Sequence, residues 1–317
     1  LGKVKGSKGK HRCVKALREK VKNVSFLFTF VKLHTMDVKL AKELFPVRDK
    51  NSRKGNNGKA LVVGGSWLYH GAPVLSSLAA QRTGVDLLYL AVPKPLVPSI
   101  RAISPDLIVF PLPDLKFTKG SARRLLKRLP EVDSVLLGPG MGKRAVEGLK
   151  TFLQGDLDEG IRFVLDADAL RHELLPFVRG KAIITPHAGE FKRLFDVDLS
   201  EFKLEERAEK VKEKAKEYDL TILLKGRVDV ISDGSKVFLN RTGNSGMSVG
   251  GTGDVLAGIA LAFLSRGLKP LHAASLAAFF NGLAGDRARE RYGFHFTAKM
   301  MLEEIPSVMK DFDVEVE

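Results

Sequence analysis

The sequence predicts an α/β protein built on a central, mostly parallel sheet, and three observations carry that expectation. From Lys59 onward short apolar runs alternate with helix-patterned segments, the signature of strand–helix units. The residues that follow those runs include most of the chain's glycine-, aspartate- and histidine-containing motifs, and in an open parallel sheet that edge binds ligands. Near the end of the chain a glycine-rich turn, Gly250-Gly251-Thr252-Gly253, passes through Asp254 straight into an apolar helix.

Taken in order, residues 1–35 read as a basic leader, either untranslated or disordered. It holds ten Lys or Arg against one acid, Glu19, and so carries nine of the fifteen net positive charges of the chain. Its end, VSFLFTFVKLHT, precedes MDVKLAKELFPVRD, which reads as a natural start at Met36. A secretory signal is disfavoured because no small-residue cleavage site follows Phe30. A nucleic-acid-binding arm is the other reading of the charge. Residues 36–317 then form a single domain. Its buried strands are expected at 60–63, 87–92, 107–110, 134–137, 163–165, 182–184 and 221–224, with helices between them at 73–82, 121–129 and 146–153. Residues 204–218 read as a helix with a charged, solvated face. A hairpin of 228–231 and 236–239 is expected to close one sheet edge, and three helices starting near Gly253, Pro270 and Thr297 finish the chain.

Composition narrows the classes. One cysteine, Cys13, excludes an internal disulfide and a cysteine-based zinc cluster, and fits the reducing cytoplasm. The apolar runs stop short of the length that spans a bilayer. The bulk of the chain is only mildly basic, so the leader dominates the charge.

The turn at 250–253 has the makings of an anion site. Glycines allow close backbone approach, and a helix start presents unpaired N–H groups at the positive end of a dipole. A Walker loop is excluded because Asp254, not Lys, follows the last glycine, and a dinucleotide fingerprint because its last glycine is missing. Asp254 is either a helix cap or the base that phosphoryl transfer to a hydroxyl requires, and the base is the preferred reading. Other strand ends supply Gly71-Ala72-Pro73, Gly138-Pro139-Gly140, Asp166-Ala167-Asp168 and Lys225-Gly226. In Thr185-Pro186-His187-Ala188-Gly189-Glu190, His187 is a candidate to orient a substrate. Glu190 either holds Mg²⁺ through water or simply opposes the helix dipole.

Seven stretches in order, KGNNGKALVVGGS, YHGAPVL, GPGMG, LDADAL, TPHAGEF, LLKG and NSGMSVGGTGDVLAG, make the chain resemble the ADP- or ATP-dependent NAD(P)H-hydrate dehydratases of the ribokinase-like superfamily. The resemblance covers nearly everything after Lys50. It implies a three-layer α/β/α fold and an enzyme, a carbon–oxygen lyase. In this family ADP or ATP phosphorylates the hydroxyl of hydrated NADH or NADPH, and loss of phosphate restores the reduced ring. By position Ala72, Gly140 and His187 would contact the hydrate, and Asp254 would deprotonate it. Lys225, Gly226, Arg227, Val228 and Asp229 would line the nucleotide, together with Gly250, Gly251, Thr252 and Gly253. Mg²⁺ and a homotetramer are implied as well, and the short leader implies a stand-alone dehydratase with any epimerase encoded elsewhere. Arg53, His70 and Ala188 depart from the residues common in the family at those positions. The rival readings are a small-alcohol kinase of the same superfamily and, less favoured, nucleic-acid binding through the leader.

Overall fold

The structure, a computed structural model, describes residues 32–317, which form one contact unit. Up to Val31 the expected leader lies outside the described residues. Its last residues belong to the fold: Leu33–Thr35 form strand β1, in parallel register with Val237–Leu239, and the Met36 N–H donates to the Leu239 carbonyl at 2.9 Å. The sheet therefore takes in Leu33–Thr35, residues of the expected leader ahead of Met36. A three-residue strand is too short to show periodicity, and its basic neighbourhood concealed it.

After β1 come α1 (Val38–Leu44), β2 (Arg48–Asp49), β3 (Lys59–Val63), α2 (Gly71–Arg82), β4 (Leu87–Pro93), α3 (Val97–Ile103) and β5 (Ile108–Leu112). The middle of the chain gives α4 (Lys119–Leu126), β6 (Ser134–Leu137), α5 (Val146–Leu153), β7 (Arg162–Leu165), β8 (Ala182–Ile184), α6 (Ala188–Phe195) and α7 (Leu204–Tyr218). It ends with β9 (Thr221–Leu224), β10 (Asp229–Ser232), β11 (Val237–Asn240), α8 (Thr252–Ser265), α9 (Pro270–Tyr292), α10 (Ala298–Met309) and β12 (Glu315–Val316).

Ten strands make one sheet in the order β1-β11-β10-β9-β8-β7-β6-β3-β4-β5, and within it only β10 runs antiparallel to its neighbours. Helices cover both faces, which is why β3, β6, β8 and β9 are apolar almost throughout. The hairpin of β10 and β11 forms as expected, but β1 and not the hairpin closes that edge. A second, two-stranded sheet pairs β2 with β12, tying the end of the chain to the segment before β3.

Helix α7 shows how the pattern works. Only Ala208, Val211 and Ala215 are buried, at helical spacing, while Lys210–Glu213 and Lys214–Glu217 pair at 2.7 Å. Helix α8 is the opposite case. All its residues except Gly253 and Asp254 are buried, because β3, β6 and β7 lie beneath it and α2, α9 and α10 pack around it. The small residues of α2 serve this packing. Ser76 Oγ donates to the Asp254 carbonyl at 2.8 Å, and a Cβ added to Gly258 would sit 2.1 Å from the Ser76 carbonyl oxygen.

Gly258→Ala should therefore push α2 and α8 apart and cost about 1–3 kcal/mol, as overpacking of a filled core does. Urea unfolding should show a lower midpoint at unchanged slope; an unchanged midpoint would mean that the two helices separate freely.

Candidate active site

The chain runs from β3 outward through β4 to β5, then returns to place β6, β7, β8 and β9 on the other side of β3. The reversal lies between β3 and β6, and the crevice outside the strand ends at such a point is where an open parallel sheet binds ligands. Here Gly140, in the loop after β6, packs against Ala72 and the Tyr69 carbonyl, so two of the three expected hydrate contacts meet at the reversal. Asp168 holds this loop: its Oδ2 accepts the Gly142 N–H at 2.7 Å.

The next three strand ends build a charged cluster. Asp166, after β7, is 2% exposed, and its Oδ1 accepts from Thr185 Oγ at 2.7 Å and from Lys225 Nζ at 3.1 Å. Asp166 makes no side-chain cap bond at the turn that follows it. His187 and Glu190 form a capping box on α6. His187 Nδ1 accepts the N–H groups of Gly189 and Glu190, and Glu190 Oε2 accepts the His187 N–H at 2.9 Å. The His187 side chain remains 55% exposed and so available to a ligand. Lys225 is fixed by its N–H bond to the Pro186 carbonyl at 2.8 Å, and its Nζ lies 3.7 Å from Glu190 Oε2. Burial works hardest against the Lys225 ammonium, yet the Asp166 and Glu190 carboxylates together outweigh it and hold its pKa above the ordinary lysine value.

Facing this cluster is the first turn of α8. Gly251 caps the helix with φ +101°, a left-handed conformation that glycine adopts without strain, and the first intrahelical bond runs from the Val255 N–H to the Gly251 carbonyl. The N–H groups ahead of it have no intrahelical partner, as an anion site needs. Asp254, third in the helix, makes no capping bond, which removes the cap reading. Burial first, then the nearby Asp166 carboxylate, push its pKa up to about 7, against the opposing pull of Lys225.

Lys225, Gly226, Arg227, Asp229, Thr252 and Gly253 line one cleft of about 740 Å³. Val228, Gly250 and Gly251 do not line it; Gly250 and Gly251 shape the turn behind it. Asp229 is braced by the Gly226 N–H at 2.9 Å and by Asn240 Nδ2 at 3.0 Å, while burial pushes its pKa up to about 6. The far end of the cleft was not anticipated. Thr242, Met247, Leu256, Ala278, Asn281 and Arg289 line it, from the loop before α8 and from α8 and α9. The one sequence hint was Asn281 itself, a polar residue inside the apolar run AAFFNGLAG.

A sequence profile of the NAD(P)H-hydrate dehydratase family matches residues 60–307. The ADP-dependent (S)-NAD(P)H-hydrate dehydratase of Cenarchaeum symbiosum is 50% identical over 274 residues, 86% of this chain and 95% of that protein. The enzyme of the same name from Nitrosopumilus maritimus is 49% identical, over 88% of this chain and 98% of its own. The ADP/ATP-dependent NAD(P)H-hydrate dehydratase of Bacillus subtilis, crystallised with ATP and Mg²⁺, superposes with a TM-score of 0.76 at 29% identity, over 87% of this chain and 97% of its own. With a mostly parallel sheet, a glycine-capped helix and a half-buried carboxylate beside an open cleft, and with relatives about 50% identical over most of its length, the chain belongs to the NAD(P)H-hydrate dehydratase family.

Proposed function

We propose that the protein repairs hydrated NADH or NADPH, using ADP as phosphoryl donor with ATP as the alternative. The observation that carries the proposal is Asp254: a half-buried carboxylate of raised pKa at the mouth of a helix N-terminus, beside a cleft of nucleotide size. ADP is placed first because the relatives at 50% and 49% identity are named as ADP-dependent.

In this reading Ala72, Gly140 and His187 hold the hydrate at the chain reversal. Asp254 takes the proton of the ring hydroxyl as that oxygen attacks the terminal phosphoryl group, and AMP leaves if ADP is the donor. The N–H groups at the start of α8 receive the charge that develops on the transferring group. Phosphorylation turns hydroxide, a poor leaving group, into phosphate. The C–O bond then breaks, a proton is lost from the neighbouring carbon, and the ring double bond returns. Lys225, Gly226, Arg227 and Asp229 carry the nucleotide, with Thr252 and Gly253 at its phosphates and Gly250 and Gly251 shaping the turn behind them.

Magnesium is part of the same proposal. Among the described residues no three potential ligands gather, and the recorded partners of Glu190 all meet Oε2, which leaves Oε1 for a metal-bound water. That fits an ion held mainly by water and phosphate oxygens, and such an ion would neutralise charge on the phosphates. A cytoplasmic homotetramer is carried over from the family resemblance as a further part of the proposal. Among the described residues no helix is long and apolar enough to cross a membrane.

Purified protein with Mg²⁺, hydrated NADH and ADP should restore the reduced-nicotinamide absorbance, and Asp254→Asn should slow this roughly 10²–10⁴-fold, the range for loss of a general base. Failure with both ADP and ATP, on protein that binds nucleotide, would overturn the dehydratase in favour of a small-alcohol kinase.

The base must be ionised, so kcat/KM should fall about tenfold per pH unit below a pKa near 7; a flat profile down to pH 5 would remove Asp254 from the proton transfer. The same shift has a stability sign. A carboxyl that keeps its proton in the folded state longer than in the unfolded chain penalises folding increasingly as pH rises from about 4 to about 7. Asp254→Asn should therefore raise the melting temperature at pH 8 and leave it nearly unchanged at pH 4.

A further inference from the structure

Asn281 carries the one buried side-chain oxygen that lacks a hydrogen-bond partner among the described residues. Its Oδ1 accepts from nothing although the residue is only 7% exposed. It stands on α9 in the wall of the nucleotide cleft, beside Ala278 and Gly282 and within the same lining as Leu256 and Met247. That wall is held in place. Asn240 Nδ2 donates to the Ala278 carbonyl at 3.1 Å, and Thr242 Oγ donates to the Phe279 carbonyl at 3.0 Å, three and two residues ahead of Asn281. A buried acceptor without a donor forfeits the bond that it would make in water. An alanine or leucine would suit the same apolar helix face without that cost.

We propose that the Asn281 carboxamide, whose Oδ1 is shielded within the cleft wall, turns to present that oxygen to the 6-amino group of the nucleotide's adenine and accepts its N–H. The inference rests on the cleft being the nucleotide site. Lys225, Thr252 and Gly253 mark the phosphate end, so the base goes to the other end, where Leu256, Met247 and Ala278 offer apolar surface to its ring faces. Adenine presents an amino donor next to a ring-nitrogen acceptor, a pair that a carboxamide matches with its own acceptor and donor. Arg289, whose guanidinium stacks on Phe294 at 4.7 Å, lines the same cleft but has no acceptor to offer that amine. Asn281 would thus select which nucleotide enters, without touching the phosphoryl group that reacts.

Calorimetric titration of the whole protein with three ligands tests this independently of turnover: ADP, purine riboside 5′-diphosphate, which lacks the 6-amino group, and 2′-deoxy-ADP. The wild type should bind the purine analogue about tenfold more weakly than ADP, the scale of one lost hydrogen bond in a buried site. Asn281→Ala should bind the two alike, and Asn281→Asp, which keeps an acceptor oxygen, should restore the preference. Equal wild-type affinity for ADP and the purine analogue would overturn the proposal without any variant. A penalty confined to 2′-deoxy-ADP and abolished by Asn281→Ala would overturn it too, by giving the oxygen to the ribose. No ADP binding at all would bring down the reading of the cleft itself, a result distinct from binding that ignores the amine.

Discussion

An ammonium largely withdrawn from water needs counter-charge close by, and the site is built around that constraint at the half-buried Lys225. Asp166 and Glu190 come from two further loops of the same sheet edge to supply it, at 3.1 and 3.7 Å. Asp166 is itself too buried to stand alone and leans on Thr185 as well as on the lysine. These two carboxylates engage the lysine directly. Asp254, close enough to feel both Asp166 and Lys225, has no such contact, and burial together with Asp166 keeps its proton-holding tendency high. The basicity that a proton acceptor needs near neutral pH is thus a by-product of how the neighbouring charges are matched.

That arrangement is possible because β6, β7, β8 and β9 are consecutive neighbours, each delivering one loop to one edge. The parallel bridge between His187 and Lys225 extends the sheet beyond β8 and β9 and sets the lysine against the capping box of α6. Glu190 therefore serves two structures at once: it closes the helix start through the His187 N–H, and it faces the Lys225 ammonium with the same oxygen. Its burial follows from this double engagement.

Much of this was legible in the residues. Apolar runs bounded by glycine and proline located the parallel strands, several to the residue, because strands buried on both faces must be apolar throughout. Charged spacing located α7, and the Gly-Gly-Thr-Gly turn located the start of α8. What stayed hidden depends on pairing between distant segments. Strand β1 and the β2–β12 pair are two or three residues long and exist because partners far along the chain hold them. The neighbours of Asp166 and Asp168 do not distinguish their roles; only the arrival of Lys225, 59 residues after Asp166, gives Asp166 its own. The far end of the cleft was invisible for a similar reason: Thr242, Leu256 and Asn281 share no local motif, and three separate elements bring them together.

Helix α8 joins two tasks that most proteins keep apart, since its first turn faces the ligand and the rest is core. Helix ends ordinarily fray, but this one is tethered. Thr252 Oγ donates to the Met247 carbonyl at 2.7 Å, Ser76 binds the Asp254 carbonyl, and a side chain on Gly251 would collide with Leu75 and Ala298. The reactive turn cannot open without loosening the layer beneath it. The first hydrogen-bonded amides of the helix, from Val255 onward, should then exchange with solvent as slowly as those of the central strands, which seats the anion site on the folding core and not on a mobile loop.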